Sequence, residues 1–81
     1  MTTDKEFYSI KYKEGSLEPK TAELVYFAVC IAIGHENGAK IHVSKARECG
    51  ASEDEITESM VYAMQSAAAK VRFLGRNIIA K

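Results

Sequence analysis

The sequence predicts an all-α subunit built around an apolar helical hairpin and assembled as an oligomer. Ten consecutive apolar residues run from Leu24 to Ile33 and end at Gly34. Apolar positions then recur at helical spacing in two further stretches, with Ala39, His42, Val43 and Ala46 on one stripe and Ile56, Met60, Ala63, Met64 and Ala67 on another. No segment alternates over strand length convincingly enough to predict a sheet.

The first helix is expected over 19–33. Glu18 stands at its N-cap, and Pro19 occupies the first helical position, where its missing N–H costs nothing. Gly34 is a natural residue to follow its C-cap. Because this helix is apolar on every face from Leu24 onward, it reads as a central helix, covered by its own chain and by a partner's.

The second helix is expected from residue 37 or 38 to Cys49, with Lys40, Ser44, Arg47 and Glu48 on its polar side and Gly50 as its stop. Ser52 and Glu55 form a capping box that opens the third helix, expected over 53–68. A fourth, carrying Val71, Leu74 and Ile78, is expected over 70–80 after a break near Ala69. Residues 1–16 are polar, with Phe7, Tyr8, Ile10 and Tyr12 embedded among Lys and Glu. They are expected to form an arm or short helix that packs on a neighbour.

At 81 residues the chain is one domain, 1–81, near the lower limit for a self-sufficient core. An apolar fraction of 47% argues against disorder, and its crowding into a few helices argues for self-association. Eleven basic and eleven acidic residues produce no basic field, so nucleic acid and anionic membrane surfaces are not expected partners. The ten-residue apolar run spans only about 15 Å, half a bilayer core. Cys30 and Cys49 form no CxxC pair, a usage that fits a reducing cytoplasm.

Both histidines and a carboxylate bracket the apolar run. Glu23 precedes it, while His42 lies on the apolar stripe of the next helix, between Ala39, Val43 and Ala46. Desolvated acid and imidazole groups are costly unless paired, so Glu23 and His42 are expected to hydrogen-bond to each other. Such a pair is either an ion pair that fixes helix packing or an acid–base couple. His35 is either a solvent-facing cap residue or a third member of the site. A metal set of Glu23, His35 and His42 is a further option, since seven residues put both histidines on one face if both are helical. No cofactor motif is present.

The run Leu17-Glu18-Pro19-Lys20-Thr21-Ala22-Glu23-Leu24, the apolar helix after it, His42-Val43, and Cys49-Gly50-Ala51-Ser52-Glu53-Asp54-Glu55-Ile56 together resemble the carboxymuconolactone decarboxylase family, which includes the AhpD (alkyl hydroperoxidase D) type. The resemblance covers roughly residues 17–69. It implies a small AhpD-like helical domain that forms homotrimers or homohexamers, with sites beside the subunit contacts and room for a small-molecule ligand.

The AhpD-type site resembles a glutamate, a first cysteine twelve positions on, a second three later and a histidine four beyond that. Here Glu23 and His42 fall on the glutamate and histidine, and His35 and Gly38 on the two cysteines. With both thiols replaced, the motif is degenerate and dithiol peroxidase chemistry is not expected. The resemblance therefore implies either a decarboxylase-like enzyme using Glu23, His42 and His35 on a small carbon acid or lactone, or a non-catalytic oligomeric member that keeps the pair for structure or ligand binding.

Overall fold

The computed structural model describes residues 1–80. It is mostly helical, in the order β1 (Thr3–Phe7), β2 (Ile10–Glu14), α1 (Pro19–Ala32), α2 (Glu36–Glu48) and α3 (Glu53–Ala80). The helix termini follow from cap chemistry. Glu18 is the extended N-cap of α1, with proline just inside. Ile33 caps its C-terminus and Gly34 follows at φ 77°. Gly34 N–H then donates to Ile31 O and His35 N–H to Cys30 O, which is a Schellman closure. The same closure ends α2, where Gly50 at φ 94° donates to Arg47 O and Ala51 donates to Ala46 O. At the start of α3, Ser52 N–H donates to Glu55 Oε1 (2.8 Å) and Glu55 N–H donates to Ser52 Oγ (3.1 Å), completing the capping box.

Two expectations are corrected. The chain is not all-α, because residues 3–14 form an antiparallel hairpin rather than an arm or short helix, with Thr3 opposite Glu14 and Phe7 opposite Ile10. Tyr8 and Ser9 both take positive φ, 47° and 68°, at its two-residue turn. That geometry is usually signalled by Asn-Gly or Asp-Gly, neither of which is present here. The second correction concerns the break near Ala69, which does not occur: α3 is one helix of 28 residues. Ala67-Ala68-Ala69 is a run of the strongest helix former, and Gly75 is absorbed in the helix interior at a modest cost.

α1 packs against both α2 and α3. The core between them is made of small residues: Cys30, Ala39, Ala46, Ala51 and Ala63 are buried with Ile56, while Leu24, Phe27 and Val43 pack around it partly covered. Polar bridges join the helices at the edges. Lys20 Nζ donates to Glu55 Oε2 at 2.9 Å, tying α1 to α3. Arg47 donates twice to Glu53, each bond 2.8 Å, tying the end of α2 to the start of α3. α1 is not fully enclosed by its own chain, since Val25, Tyr26, Val29 and Ile33 remain 49–73% exposed.

These bridges set the acid sensitivity of the fold. The Ser52 backbone N–H and then the Lys20 ammonium hold the Glu55 carboxyl below its usual value of 4.5, and Arg47 does the same for Glu53. Folded-state values below the unfolded ones mean stability that is present above pH 4.5 and lost as pH falls through the depressed values. Thermal unfolding followed by circular dichroism should therefore show a melting temperature that declines below pH 4.5, with a shallower decline in Glu55→Gln. Ser52→Ala should cost about 1 kcal/mol through the lost cap.

Candidate functional site

Glu23 lies in the first half of α1 and His42 in the middle of α2. The glycine-closed turn at Gly34 folds α2 back along α1, which brings these two side chains together. His42 Nδ1–H donates to Glu23 Oε1 at 2.7 Å, and both side chains are largely withdrawn from water, at 19% and 18% exposure. A carboxylate only accepts, so this bond keeps a proton on Nδ1 and leaves the Nε2 lone pair unused. Among the described residues Nε2 has no hydrogen-bond partner. Tyr26, one turn after Glu23, lies flat on the imidazole with ring centroids 4.0 Å apart and planes within 3°. The imidazole is thus held at its edge by a carboxylate and over its face by an aromatic ring, which fixes tautomer and orientation together.

Tyr26 is a member of this cluster that the sequence analysis does not single out. Its position three residues after Glu23, on the same helical face, was the available signal.

His35 is placed differently. It is the N-cap of α2, solvent-exposed and outside the helix, with φ −86° and ψ 84°. Its Nδ1 lies 3.9 Å from Cys30 Sγ, and no hydrogen bond joins it to the Glu23–His42 pair. The two-turn spacing that would set both histidines on one face does not apply, because only His42 is helical. Among the described residues no three His, Cys, Asp or Glu side chains are grouped to hold a metal ion. Gly38 is buried where His35 and Cys30 meet: a Cβ there would sit 2.5 Å from His35 Nδ1 and 2.9 Å from Cys30 Sγ. Both cysteines are free thiols, Cys30 buried and Cys49 exposed.

Two open clefts flank the pair. One, of about 360 Å³, runs between α1 and α2 over Phe27, Ile31, Ala39 and Val43, with Glu36 and Lys40 at its rim. The other, of about 330 Å³, lies between the hairpin and α1, lined by Phe7, Ile10, Tyr12 and Tyr26. Neither is lined by Glu23 or His42. Tyr26 connects the second cleft to the imidazole on which it stacks.

Comparison with known families matches residues 2–73 to the carboxymuconolactone decarboxylase family. The chain belongs to that family. Neither a curated protein nor a solved structure gives a significant match. The family match reaches further toward the N-terminus than residues 17–69 and takes in the hairpin. No described helix of this family member is long and apolar enough to cross a membrane.

Removing either partner of the 2.7 Å bond strands the other in a poorly hydrated position. His42→Ala should destabilise the subunit by about 2–3 kcal/mol, the low end for a buried pair because some water reaches it. Urea unfolding followed by circular dichroism measures this directly. A loss below about 0.5 kcal/mol would mean that the bond is solvated and contributes little.

Proposed function

We propose that Glu23 and His42 form an acid–base couple acting on a small carbon acid or lactone, in a decarboxylase-like reaction of the carboxymuconolactone decarboxylase family. The observation that carries this reading is the Nδ1–carboxylate bond of 2.7 Å, which leaves Nε2 as the free proton-transfer atom of an imidazole oriented by Tyr26. In this role His42 Nε2 takes a proton from an activated carbon or returns one to it. Glu23 holds the ring and stabilises the imidazolium that forms. Tyr26 presents an aromatic wall beside the ring, continuous with the Phe7, Ile10 and Tyr12 cleft. His35 lies at the α2 cap beside Cys30, outside the hydrogen-bonded pair. Self-association, through the exposed side of α1 with Val25, Val29 and Ile33, would close the site from solvent.

A second reading is a non-catalytic oligomeric member of the family that keeps the pair for packing or for holding a small ligand. It is favoured by one observation: both flanking clefts are open and lined by neither Glu23 nor His42.

Glu23→Gln separates the two readings. The amide still accepts from Nδ1–H, so an acid–base role predicts a melting temperature close to wild type and loss of proton exchange at the acidic carbon of lactone and β-keto acid probes, followed by deuterium uptake in NMR spectra. A purely structural pair predicts no exchange in the wild type and lowered stability in the variant. Dithiol peroxidase turnover is expected to be negligible, because His35 and Gly38 occupy the two cysteine positions. Reduction of an organic hydroperoxide that is lost in Cys30→Ser or Cys49→Ser would refute this.

A further inference from the structure

The turn that closes α1 brings a thiol and an imidazole together, apart from the Glu23–His42 pair. Gly34 at φ 77° reverses the chain, and His35 N–H donates to Cys30 O at 2.8 Å, which ties the two backbones directly. His35 O then accepts from Ala39 N–H at 3.0 Å as α2 begins. The backbone of His35 is thus held on both sides of its Cα, and its Nδ1 stands 3.9 Å from Cys30 Sγ. Cys30 is buried, at 6% exposure, and His35 is exposed, so the pair is approached from the imidazole side. Gly38 adds the space beside them. A Cβ at that residue would stand 2.5 Å from Nδ1 and 2.9 Å from Sγ, and glycine leaves this spot against both donor atoms clear. A glycine inside a helix costs up to about 1 kcal/mol, and here the cradle is what it secures.

The separation and the chemistry of the two donors say what fits between them. A metal–thiolate bond of about 2.3 Å and a metal–imidazole bond of about 2.0 Å span the 3.9 Å gap at an angle of about 130°. Tetrahedral coordination would draw the same atoms to about 3.5 Å. The wide angle therefore suits an ion of low coordination number. Among the described residues no third His, Cys, Asp or Glu joins the pair, so an ion that demands four protein ligands is not served. Glu36, the nearest acidic residue in sequence, is exposed and engaged with Lys40 at 3.0 Å. Charge points the same way. A monovalent cation on one thiolate and one neutral imidazole is neutral overall, whereas a divalent ion would leave a net positive charge beside a buried apolar helix. Thiolate is a soft donor that selects Cu(I) among the common metal ions, and imidazole suits copper as well.

We infer that Cys30 Sγ and His35 Nδ1 form a binding site for a soft monovalent cation of the Cu(I) class, seated in the cradle that Gly38 leaves beside them. Binding displaces the thiol proton to solvent and moves no electron, so the metal enters and leaves as Cu(I). The imidazole supplies Nδ1 as a lone pair, with its proton on Nε2. His42 has the opposite tautomer, with its proton held on Nδ1 by Glu23. The two histidines therefore do different work, and the metal site does not depend on the acid–base reading of Glu23 and His42.

The test is competition binding on the reduced full chain without oxygen. Cu(I) titrated against a chromophoric Cu(I) chelator should reveal one tight site per chain, and its absence would overturn the proposal. Affinity should fall on the order of 100-fold in Cys30→Ser and about 10-fold in His35→Ala, the range that disturbed metal shells show. The His35 side chain is exposed, so His35→Ala keeps the test decisive even where Cys30→Ser fails to fold. Cys49→Ser should bind like the wild type. Unchanged affinity in His35→Ala, or loss of binding in Cys49→Ser, would overturn the site and assign the metal to an exposed thiol. Silver(I), which does not change oxidation state, should shift the imidazole nitrogen resonances of His35 in NMR spectra and leave those of His42 in place. Movement of the His42 resonances alone would overturn the assignment, and zinc binding as tight as that of Cu(I) would overturn the choice of a monovalent ion.

Discussion

The constraint behind this structure is a core made almost entirely of small side chains. Alanine lines the places where the helices meet, at positions 39, 46, 51 and 63, and Ile56 is the largest buried aliphatic residue. Small residues let helix backbones approach closely, and that closeness is what allows a short carboxylate–imidazole bond to span α1 and α2. It also displaces the bulky residues. Valines, tyrosines and methionines that would fill the centre of a larger domain stand instead on the outer surfaces of α1 and α3. A chain this short buries a modest share of its surface in any case. Here most of its large apolar residues are exposed.

The polar contacts take on work that a larger apolar core would do. Glu23–His42, Lys20–Glu55 and Arg47–Glu53 each join two helices or the ends of two helices. Lys20–Glu55 is half-buried and Arg47–Glu53 is exposed; both are reached by solvent and screened, so they steer register more than they stabilise. The Glu23–His42 bond is largely withdrawn from water and stacked by Tyr26, so it is the least screened of the three.

Cap chemistry was the most legible part of the sequence. Proline at the start of α1, the glycines after α1 and α2, and the Ser52–Glu55 box each act within one helical turn, so local residues decide them. The pairing of Glu23 with His42 was legible because both stand on apolar stripes that must face each other once Gly34 reverses the chain. The hairpin was not legible. Its turn places Tyr8 and Ser9 in a backbone conformation that glycine or asparagine usually signals, and its strands have no buried face to impose alternation. The course of α3 was misjudged because an alanine run is neutral in pattern, and only its high propensity argues for continuity. Of the two readings open for His35 the structure takes the solvent-facing cap, and the two-turn spacing with His42 fails because counting residues along a helix does not apply when one of them is the cap.

Gly38 has a steric implication. Its missing Cβ is the space into which the His35 ring and the Cys30 thiol fit. A cysteine installed at position 38 while His35 remains would collide with that ring, whereas replacing His35 by the smaller cysteine first removes the largest obstacle. Histidine at position 35 and glycine at position 38 are therefore sterically coupled: a side chain at 38 requires the His35 ring to move.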